Sequence, residues 1–467
     1  MPAPDQNQAS QPKIGPARED ETRLEPPSKT SSRRIGRRRF LGAAAGVGAA
    51  YMFGRLGGRL LAETRARAAS APAAQRPPSF VVILTDDLGY GDVGCYGASD
   101  IATPRIDRMA AEGVRFTSYY SVGQVCTPAR AAMLTGCYPR RVGLPMVLYA
   151  HHDVCLNPDE VTLAEICKSR GYATACVGKW HLGGIPPTKH GFDEWIGSTD
   201  ADVERTRKCT EATVDFIRRH RDRPFLVYLA HADPHVPLKA FLPFAGRSER
   251  GVYGDVVETL DWSTGRILDE LAALGLDQNT LVIFTSDNGP WLDKGAEGGS
   301  SGPLRGGKFS AYEGGTRVPC VMRWPGRIPA GLATDEVATA MDLLPTFAGL
   351  CGGEVPADRV IDGCDILPLM TRPGAATPRE SYCYYVGAAE SDACAVRSGR
   401  WKLFGWKNAK VATEDWYPVN LYDLQTDIAE TTDVAGQHPE EVRRLRSLLE
   451  AHWRSIAEDS RPPGRKA

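Results

Sequence analysis

Residues 79–87 read SFVVILTDD, an unbroken apolar run at positions 80–84 that is soon followed by two carboxylates, Asp86 and Asp87. An apolar run of this length without alternation is typical of a strand buried on both faces, as in a parallel sheet covered by helices. In such sheets, ligands bind beyond the carboxyl ends of the strands. The stretch therefore predicts both a central strand and one side of a binding site.

Three later stretches repeat this arrangement of an apolar run followed by polar or charged side chains. They are YATACVGKWHLG (172–183), PFLVYLAHADPH (224–235) and NTLVIFTSDNG (279–289). Helical patterns lie between the strands, at residues 106–112, 162–169, 209–220 and 255–274. We expect an α/β fold with a large, mostly parallel or mixed sheet sandwiched by helices, and a site at the carboxyl ends of its strands.

The strand ends carry oxygen ligands. Asp86, Asp87, Asp287 and Asn288 offer only hard oxygen donors, a set that suits calcium or magnesium better than zinc. A single Asp pair is more often a turn or a helix cap. Two such pairs at different strand ends favour a metal site.

Basic and imidazole side chains follow the same strands. Lys179 and Lys308 can supply positive charge for an anionic substrate, although a lone lysine is usually solvated surface. His181 and His235 can move protons at neutral pH. His231 is expected to be structural, and the sequence offers no partner for a further histidine at position 190.

The stretch QVCTPARAAMLTG, residues 124–136, places a cysteine at the mouth of a predicted helix. Pro128 suits the first turn and Gly136 the end of that helix. Cys126 would lie at or just before the N-cap, where the helix dipole favours negative charge, and Arg130 would lean back toward it from one turn along. The simpler alternative is a buried cysteine on an Ala-rich helix.

Length and composition limit the number of domains and the classes of partner. The chain has 467 residues, enough for two domains, and its 56 Lys+Arg against 57 Asp+Glu give no indication of a nucleic-acid partner. No apolar run reaches 18 residues, which argues against a conventional membrane span. The 12 cysteines form no C-x-x-C pair and no zinc spacing.

The first 75 residues differ from the rest. Residues 1–34 are polar and Pro-rich, which predicts disorder. Residues 37–41, RRRFL, fit the twin-arginine pattern, and a short Ala/Gly-rich apolar segment follows at 41–53. We expect export by the twin-arginine translocation machinery to the periplasm or outside a bacterial cell. The alternative is a basic arm beside a short core helix.

Six stretches together resemble the type I sulfatases of the alkaline phosphatase superfamily, most closely their arylsulfatase A-like branch. They are VILTDDLGYGDVGCYG (82–97), CTPAR (126–130), GKWHLG (178–183), HADPH (231–235), FTSDNG (284–289) and LRGGKFSAYEGGTRVP (304–319). AVRSGRWKL (395–403) and NLYDLQTDIAETTDVA (420–435) resemble the family's ending, a small antiparallel sheet with a closing helix. We predict a tail and signal region at 1–75, a catalytic domain at 76–380 and a small α+β subdomain at 381–467.

The resemblance implies a specific chemistry at position 126. In sulfatases of this type the cysteine of C-x-P-x-R is oxidised to formylglycine (3-oxoalanine) by a formylglycine-generating maturation enzyme. Cys126 would be that residue, with Pro128 and Arg130 in the recognised motif and Ala129 where the family often has serine. One Ca²⁺ would be held by modified Cys126 together with Asp86, Asp87, Asp287 and Asn288.

The resemblance also implies hydrolysis of a sulfate monoester of an aryl, carbohydrate or lipid alcohol. A hydroxyl of the hydrated aldehyde would attack sulfur. The implied roles of the other side chains are proton acceptance by Asp287, sulfate binding by Lys179 and Lys308, protonation of the leaving oxygen by His235, a second proton transfer by His181 and orientation by Arg130.

Two alternatives remain at this stage. A phosphonate or phosphate ester hydrolase of the same superfamily can share C-x-P-x-R, but such relatives tend to pair Asp with His where this chain has Asp287 and Asn288. A catalytically dead binding protein would be favoured by the loss of any one of four residues, all of which are present: Cys126, Lys179, His235 and Lys308. Specificity is expected to lie in the loops at 144–160, 183–208 and 238–252.

Overall fold

The computed structural model describes residues 76–198, 202–385, 393–405 and 419–466. The predicted tail and twin-arginine region at 1–75 lies outside the described residues. Within the described ranges, no helix combines the length and the apolarity that crossing a membrane requires. All 12 cysteines are free thiols in the structure.

Within these described ranges, sixteen strands form four sheets. The strands are β1 (Ser79–Thr85), β2 (Val114–Phe116), β3 (Tyr119–Tyr120), β4 (Val154–Cys155), β5 (Ala173–Gly178), β6 (Glu194–Ile196), β7 (Phe225–Ala230), β8 (Thr280–Ser286), β9 (Cys320–Arg323), β10 (Leu332–Thr334), β11 (Ala338–Thr339), β12 (Tyr382–Tyr385), β13 (Ala393–Ser398), β14 (Trp401–Phe404), β15 (Asn420–Asp423) and β16 (Gly464–Arg465). The largest sheet has eight strands in the order β10-β2-β9-β8-β1-β7-β5-β6. Strands β8, β1, β7, β5 and β6 are parallel, whereas β9 runs antiparallel to β8 and β2. The predicted mixed, mostly parallel sheet is confirmed.

Strand β1 lies at the centre of this sheet and is buried along its whole length. Phe80, Val82 and Leu84 pack into one hydrophobic cluster, while Val81 and Ile83 pack into another. Because successive side chains of a strand point to opposite faces, the two clusters cover both faces of the sheet. This explains why the sequence of β1 is apolar without alternation.

Nine α-helices accompany the strands in the described part of the chain. They are α1 (Pro104–Ala111), α2 (Cys126–Thr135), α3 (Leu163–Ser169), α4 (Arg205–Arg219), α5 (Gly251–Ala273), α6 (Glu313–Thr316), α7 (Leu343–Cys351), α8 (Leu367–Thr371) and α9 (Pro439–Glu458). Helix α3 begins after a capping box, in which the Thr162 hydroxyl accepts from the Glu165 N–H at 3.2 Å and the Glu165 carboxylate accepts from the Thr162 N–H at 2.8 Å.

Helix α4 begins four residues before its predicted start. The extra turn is polar and carries no apolar period, but Arg205 is buried and its Nε donates to Asp233 Oδ1 at 2.8 Å. The start of the helix is therefore fixed by a tertiary ion pair to the loop after β7, which the local sequence does not reveal.

The C-terminal part forms a second sheet with the order β12-β13-β14-β15, all antiparallel. Helix α9 buries Leu445, Leu449 and Ile456 along one stripe. The small antiparallel sheet with a closing helix is thus confirmed, while the boundary at 380/381 stays a prediction.

A buried ion cluster lies between α6 and strand β14. The Lys402 ammonium lies 3.0 Å from Glu313 Oε1 and 2.7 Å from Glu430 Oε1, and all three side chains are fully buried. Tyr120 and Tyr384 each donate a hydroxyl to Glu313 at 2.6 Å. Glu313 follows Lys308 closely in the chain, so the cluster anchors the loop that carries this lysine.

We expect Lys402→Met to lower the free energy of unfolding by about 3–5 kcal/mol, because it leaves two buried carboxylates without their shared cation. Urea unfolding followed by circular dichroism measures this. The matched control is Lys168→Met, whose ion pair with Asp193 is half-exposed and should cost no more than about 1 kcal/mol. Equal, small losses in both variants would contradict the expectation.

Candidate active site

Four adjacent strands bring the polar ends together. Strand β1 pairs with β8 up to Thr85 opposite Ser286, and beyond the pair the Asp287 N–H donates to Thr85 O at 3.1 Å. On the other side, the Asp86 N–H donates to Asp233 O at 3.0 Å, and the Lys179 N–H donates to Ala230 O at 2.8 Å. The parallel register therefore places all four predicted strand ends at one edge of the sheet.

An acidic cluster occupies this edge. Asp86, Asp87, Asp287 and Cys126 are buried, and one ligand atom from each lies within 4.8 Å of the others. Asp87 has a positive φ of 67°, a conformation that non-glycine residues adopt rarely and often at functional sites. Its N–H donates to Asp287 Oδ1 at 3.2 Å. The strained turn keeps two successive carboxylates, Asp86 and Asp87, in one cluster.

The cluster has the properties of a cation site. Asn288 donates its Nδ2 to Asp87 Oδ1 at 2.7 Å, but its buried Oδ1 has no hydrogen-bond partner among the described residues. Burial and the neighbouring charge of Asp86 raise the pKa of Asp287 to about 7. A hard cation would satisfy the unpaired oxygen and relieve the repulsion between the carboxylates. The donor set thus fits Ca²⁺ or Mg²⁺.

Cys126 is the first residue of helix α2, and the N-cap is Val125. The prediction that Cys126 lies at or just before the N-cap was therefore wrong by one position. Gly136 ends the helix in the left-handed conformation, as the sequence predicts. The Cys126 Sγ donates to Asp86 Oδ1 at 3.1 Å and lies 3.6 Å from Lys179 Nζ and 3.9 Å from Lys308 Nζ. Burial and the nearby carboxylates raise the pKa of the thiol well above its usual value, so it stays protonated and is a poor nucleophile.

Three cations surround the carboxylates. Lys179 Nζ pairs with Asp86, and Lys308 Nζ lies 2.7 Å from Asp87 Oδ2. Arg130 donates Nε and Nη2 to Asp287 Oδ2 at 3.0 and 2.7 Å, and Nη1 to the Lys179 carbonyl at 3.0 Å. Arg130 therefore orients Asp287, whereas the sequence predicted that it leans toward Cys126. The three basic side chains balance the charges of the three carboxylates. A divalent cation added to them would give the site a net positive charge, which attracts an anion.

Two of the predicted histidines, His181 and His235, line the cavity that opens at Cys126. His235 Nδ1 lies 2.6 Å from Val236 O, which assigns its proton to Nδ1 in the neutral ring, and Nε2 lies 3.7 Å from Asp87 Oδ2. His181 Nε2 lies 2.9 Å from Leu148 O. Burial, then Lys179 and Arg130, lower the pKa of His181 to about 3, so this ring is neutral at physiological pH.

The other two histidines considered above lie in the interior. His231 Nε2 contacts Ser263 Oγ at 3.2 Å, in keeping with its expected structural role. His190 is fully buried against Trp180, with ring centroids 5.4 Å apart. Burial lowers the pKa of His190 to about 4, so it too is a neutral core side chain.

A cavity of about 590 Å³ opens above the cluster. Cys126, Lys179, His181, His235 and Lys308 form its polar floor. Its aromatic lining includes residues that the sequence analysis did not single out: Tyr149, Trp180, Trp195, Trp291 and Phe309. The loops predicted at 144–160 and 183–208 each contribute to this lining. The only sequence signal for Trp291 and Phe309 is their position beside the DNG and GGK motifs.

The fold and this site together define an ester hydrolase of the alkaline phosphatase superfamily. The sulfatase family model matches residues 78–353, and the model for the C-terminal part of N-sulphoglucosamine sulphohydrolase matches residues 307–456. The chain belongs to the sulfatase family and is a sulfuric ester hydrolase.

Known proteins of this family are similar over most of the chain. N-acetylgalactosamine-6-sulfatase of Canis lupus familiaris is 39% identical over 401 residues, which cover 75% of this chain and 76% of that protein. Arylsulfatase A of Homo sapiens is 36% identical over 451 residues, with coverage of 81% and 88%.

Solved structures share the architecture. The PsFucS1 sulfatase from Pseudoalteromonas sp. has a TM-score of 0.76 at 26% identity, covering 88% of this chain and 96% of its own. Ps i-CgsB in complex with k-i-k-neocarrahexaose has a TM-score of 0.72 at 28% identity, covering 84% and 95%. A phosphonate monoester hydrolase from Silicibacter pomeroyi has a TM-score of 0.63 at 19% identity, a likeness of the fold alone.

Proposed function

We propose that this sulfatase acts through a formylglycine formed from Cys126 and a Ca²⁺ ion held by Asp86, Asp87, Asp287, Asn288 and the modified residue. The observation that carries the proposal is the position of the Cys126 Sγ, at a helix N-terminus, 3.1 Å from Asp86 and within 4 Å of two lysine ammonium groups. The protonated state of the thiol supports modification rather than direct attack by a thiolate.

When both are in place, formylglycine supplies a hydrated aldehyde as the nucleophile and Ca²⁺ lowers the pKa of its hydroxyl and offsets the sulfate charge. Lys179 and Lys308 bind sulfate oxygens, since both ammonium groups face position 126. Asp287, oriented by Arg130, accepts a proton at Oδ1, since Oδ2 already accepts both bonds from Arg130.

The histidines handle the remaining protons. His235 donates from Nε2 to the leaving oxygen when its ring is doubly protonated, because Nδ1 holds the proton that bonds to Val236 O and Nε2 carries a proton only in the imidazolium. His181 accepts at Nδ1, which is buried and has no hydrogen-bond partner among the described residues. Its low pKa keeps that nitrogen unprotonated at physiological pH.

The substrate is proposed to be a sulfate monoester of an aryl or carbohydrate alcohol. Support comes from relatives that are named as N-acetylgalactosamine-6-sulfatase and arylsulfatase A, and from a related structure in complex with k-i-k-neocarrahexaose. We further propose a formylglycine-generating enzyme as a maturation partner and export through the twin-arginine pathway to the periplasm or the medium, on the basis of the CTPAR motif and RRRFL at 37–41.

The test compares the hydrolysis of 4-nitrophenyl esters that share the leaving group but differ in the acid. Protein made with a maturation enzyme should hydrolyse 4-nitrophenyl sulfate with a kcat/KM at least tenfold above that for 4-nitrophenyl phosphate or 4-nitrophenyl phenylphosphonate. The Asp287-Asn288 pair motivates this expectation. It gives a metal site with oxygen ligands only, whereas the related phosphonate and phosphate ester hydrolases tend to have Asp and His at these positions. A preference for the phosphonate would favour the alternative hydrolase.

His235→Gln is expected to lower kcat/KM by about 100-fold or more for a sugar sulfate, because an alkoxide leaves poorly without a proton. For 4-nitrophenyl sulfate, whose phenolate leaves unaided, the loss should stay below about tenfold. Steady-state kinetics on both substrates measure the difference. The half-buried His438, which does not line the active-site cavity, offers the control variant His438→Gln, which should alter neither rate. An equal loss on both substrates would contradict the role of His235 as the acid.

A further inference from the structure

Among the residues that the structure describes, the exposed large aromatic side chains line the active-site cavity. Tyr149, Trp195 and Phe309 are 59%, 45% and 38% exposed, and all three line the cavity together with the half-buried Trp291. Large apolar side chains grouped around a polar floor are typical of a ligand site. None of these residues is needed for the sulfate chemistry proposed above.

Trp291 lies between these exposed aromatic side chains and the two residues proposed to act on the leaving oxygen, His235 and Lys308. Its ring centroid lies 5.7 Å from that of His235 and 4.4 Å from the Lys308 ammonium. Phe309 packs edge-on against Trp291, with centroids 5.7 Å apart. The exposed Lys294 also places its ammonium 4.3 Å from the indole centroid, so a ligand ring that stacks on this π-face would displace a solvent-exposed side chain.

The backbone fixes these two aromatic residues in place. Phe309 has a φ of 71°, and its N–H donates to Gln124 O at 3.1 Å, beside the CTPAR helix. The Lys308 N–H donates to Pro290 O at 2.8 Å, so the loop carrying Phe309 is bonded to the residue before Trp291. A non-glycine residue held at positive φ by tertiary bonds is typical of a built site rather than of a passive loop.

We propose that Trp291 and Phe309 form a wall that binds the ring of the leaving alcohol and delivers its ester oxygen to His235 and Lys308. The ligand class is a sulfate ester on a six-membered ring with an apolar face, either a phenol or a sugar. This inference rests on the proposed sulfatase function and adds a subsite to it. A straight-chain alkyl sulfate has no ring face and gains little from the wall.

The experiment compares Trp291→Leu, which keeps an apolar side chain without a π-face, with Trp291→Phe, which retains one. The substrates are 4-nitrophenyl sulfate, N-acetylgalactosamine 6-sulfate and hexyl sulfate. Trp291→Leu should lower kcat/KM about tenfold on the ring substrates, mainly through KM, and about twofold or less on hexyl sulfate. Trp291→Phe should restore activity to within about threefold of wild type. If Trp291→Leu lowers kcat/KM on only one of the two ring substrates, that substrate identifies the ligand of the wall as the phenol or the sugar.

The control is Trp401→Leu. Trp401 also packs on an imidazole and a guanidinium, with its ring centroid 4.7 Å from that of His438 and 5.2 Å from Arg400, but it lies in the C-terminal sheet. This variant should leave all three rates unchanged. Equal loss on ring and straight-chain substrates, or no loss on any, would overturn the proposal.

A binding measurement separates this proposal from the proposed function. In a Cys126→Ala background, titration calorimetry with 4-nitrophenyl sulfate should show about tenfold weaker binding for Trp291→Leu. Equal affinity of the proteins with and without Trp291→Leu would contradict the proposed wall even if the enzyme is an active sulfatase. Weaker binding would support the wall even if wild-type protein turned over none of the esters, in which case the proposed function alone would fail.

Discussion

Cys126→Ala is expected to reduce kcat/KM for 4-nitrophenyl sulfate by on the order of 10⁵-fold or more, the range seen when a catalytic nucleophile is removed. Alanine keeps the start of helix α2 and lacks the atom from which the nucleophile is made. Because the site stays filled by Asp86, Lys179 and Lys308, the variant should unfold within a few degrees of wild type, on the order of a small core truncation. Kinetics and a thermal melt measure the two quantities.

The control is Cys394→Ala, in which a buried cysteine of the C-terminal sheet is truncated in the same way. It should retain full activity. Mass analysis of the tryptic peptide 116–130 should show that residue 126 has lost its sulfur and gained an aldehyde in wild type. Full activity in Cys126→Ala would contradict the mechanism. An unmodified thiol in active protein would mean that cysteine acts directly and would favour the phosphoester alternative.

The sheet and the meeting point of its strands were predictable from local patterns. Strand β1 is apolar without alternation because both of its faces are covered, and this leaves a clear trace in the sequence. Parallel pairing then forces the ends of β8, β1, β7 and β5 to one edge, so Asp86, Asp287 and Lys179 could be placed together before the structure was known. The roles of these residues came from the resemblance to sulfatases and not from the pattern.

Features set by long-range contacts were not predictable in the same way. The partner of Arg130 is Asp287, which is 157 residues away in the chain, and helical spacing pointed instead to Cys126. The first turn of α4 depends on the pair between Arg205 and Asp233. The aromatic wall depends on the conformation of two loops, of which only their neighbouring motifs are visible in the sequence.

Removal of the proposed Ca²⁺ ion is the second change for which we expect a large effect. Dialysis against EGTA should abolish sulfatase activity, and added Ca²⁺ should restore it, because three buried carboxylates and the unpaired Asn288 oxygen otherwise lack their common partner. Ca²⁺ at about 100 times its Kd should raise the free energy of unfolding by about 2.7 kcal/mol. Thermal melts at several Ca²⁺ concentrations and elemental analysis of the purified protein measure the response.

Asp87→Asn should remove both the activity and most of the Ca²⁺-dependent stabilisation, since it deletes one charge from the cluster while keeping the side-chain volume. The matched control is Asp261→Asn, because Asp261 is equally buried but accepts the Arg105 and Ile106 N–H groups at the start of α1. That variant should respond to Ca²⁺ as wild type does. Stoichiometric zinc or manganese without calcium or magnesium would contradict the oxygen-only site. So would a Ca²⁺ response that persists in Asp87→Asn, because the cation would then be bound outside the cluster at the strand ends.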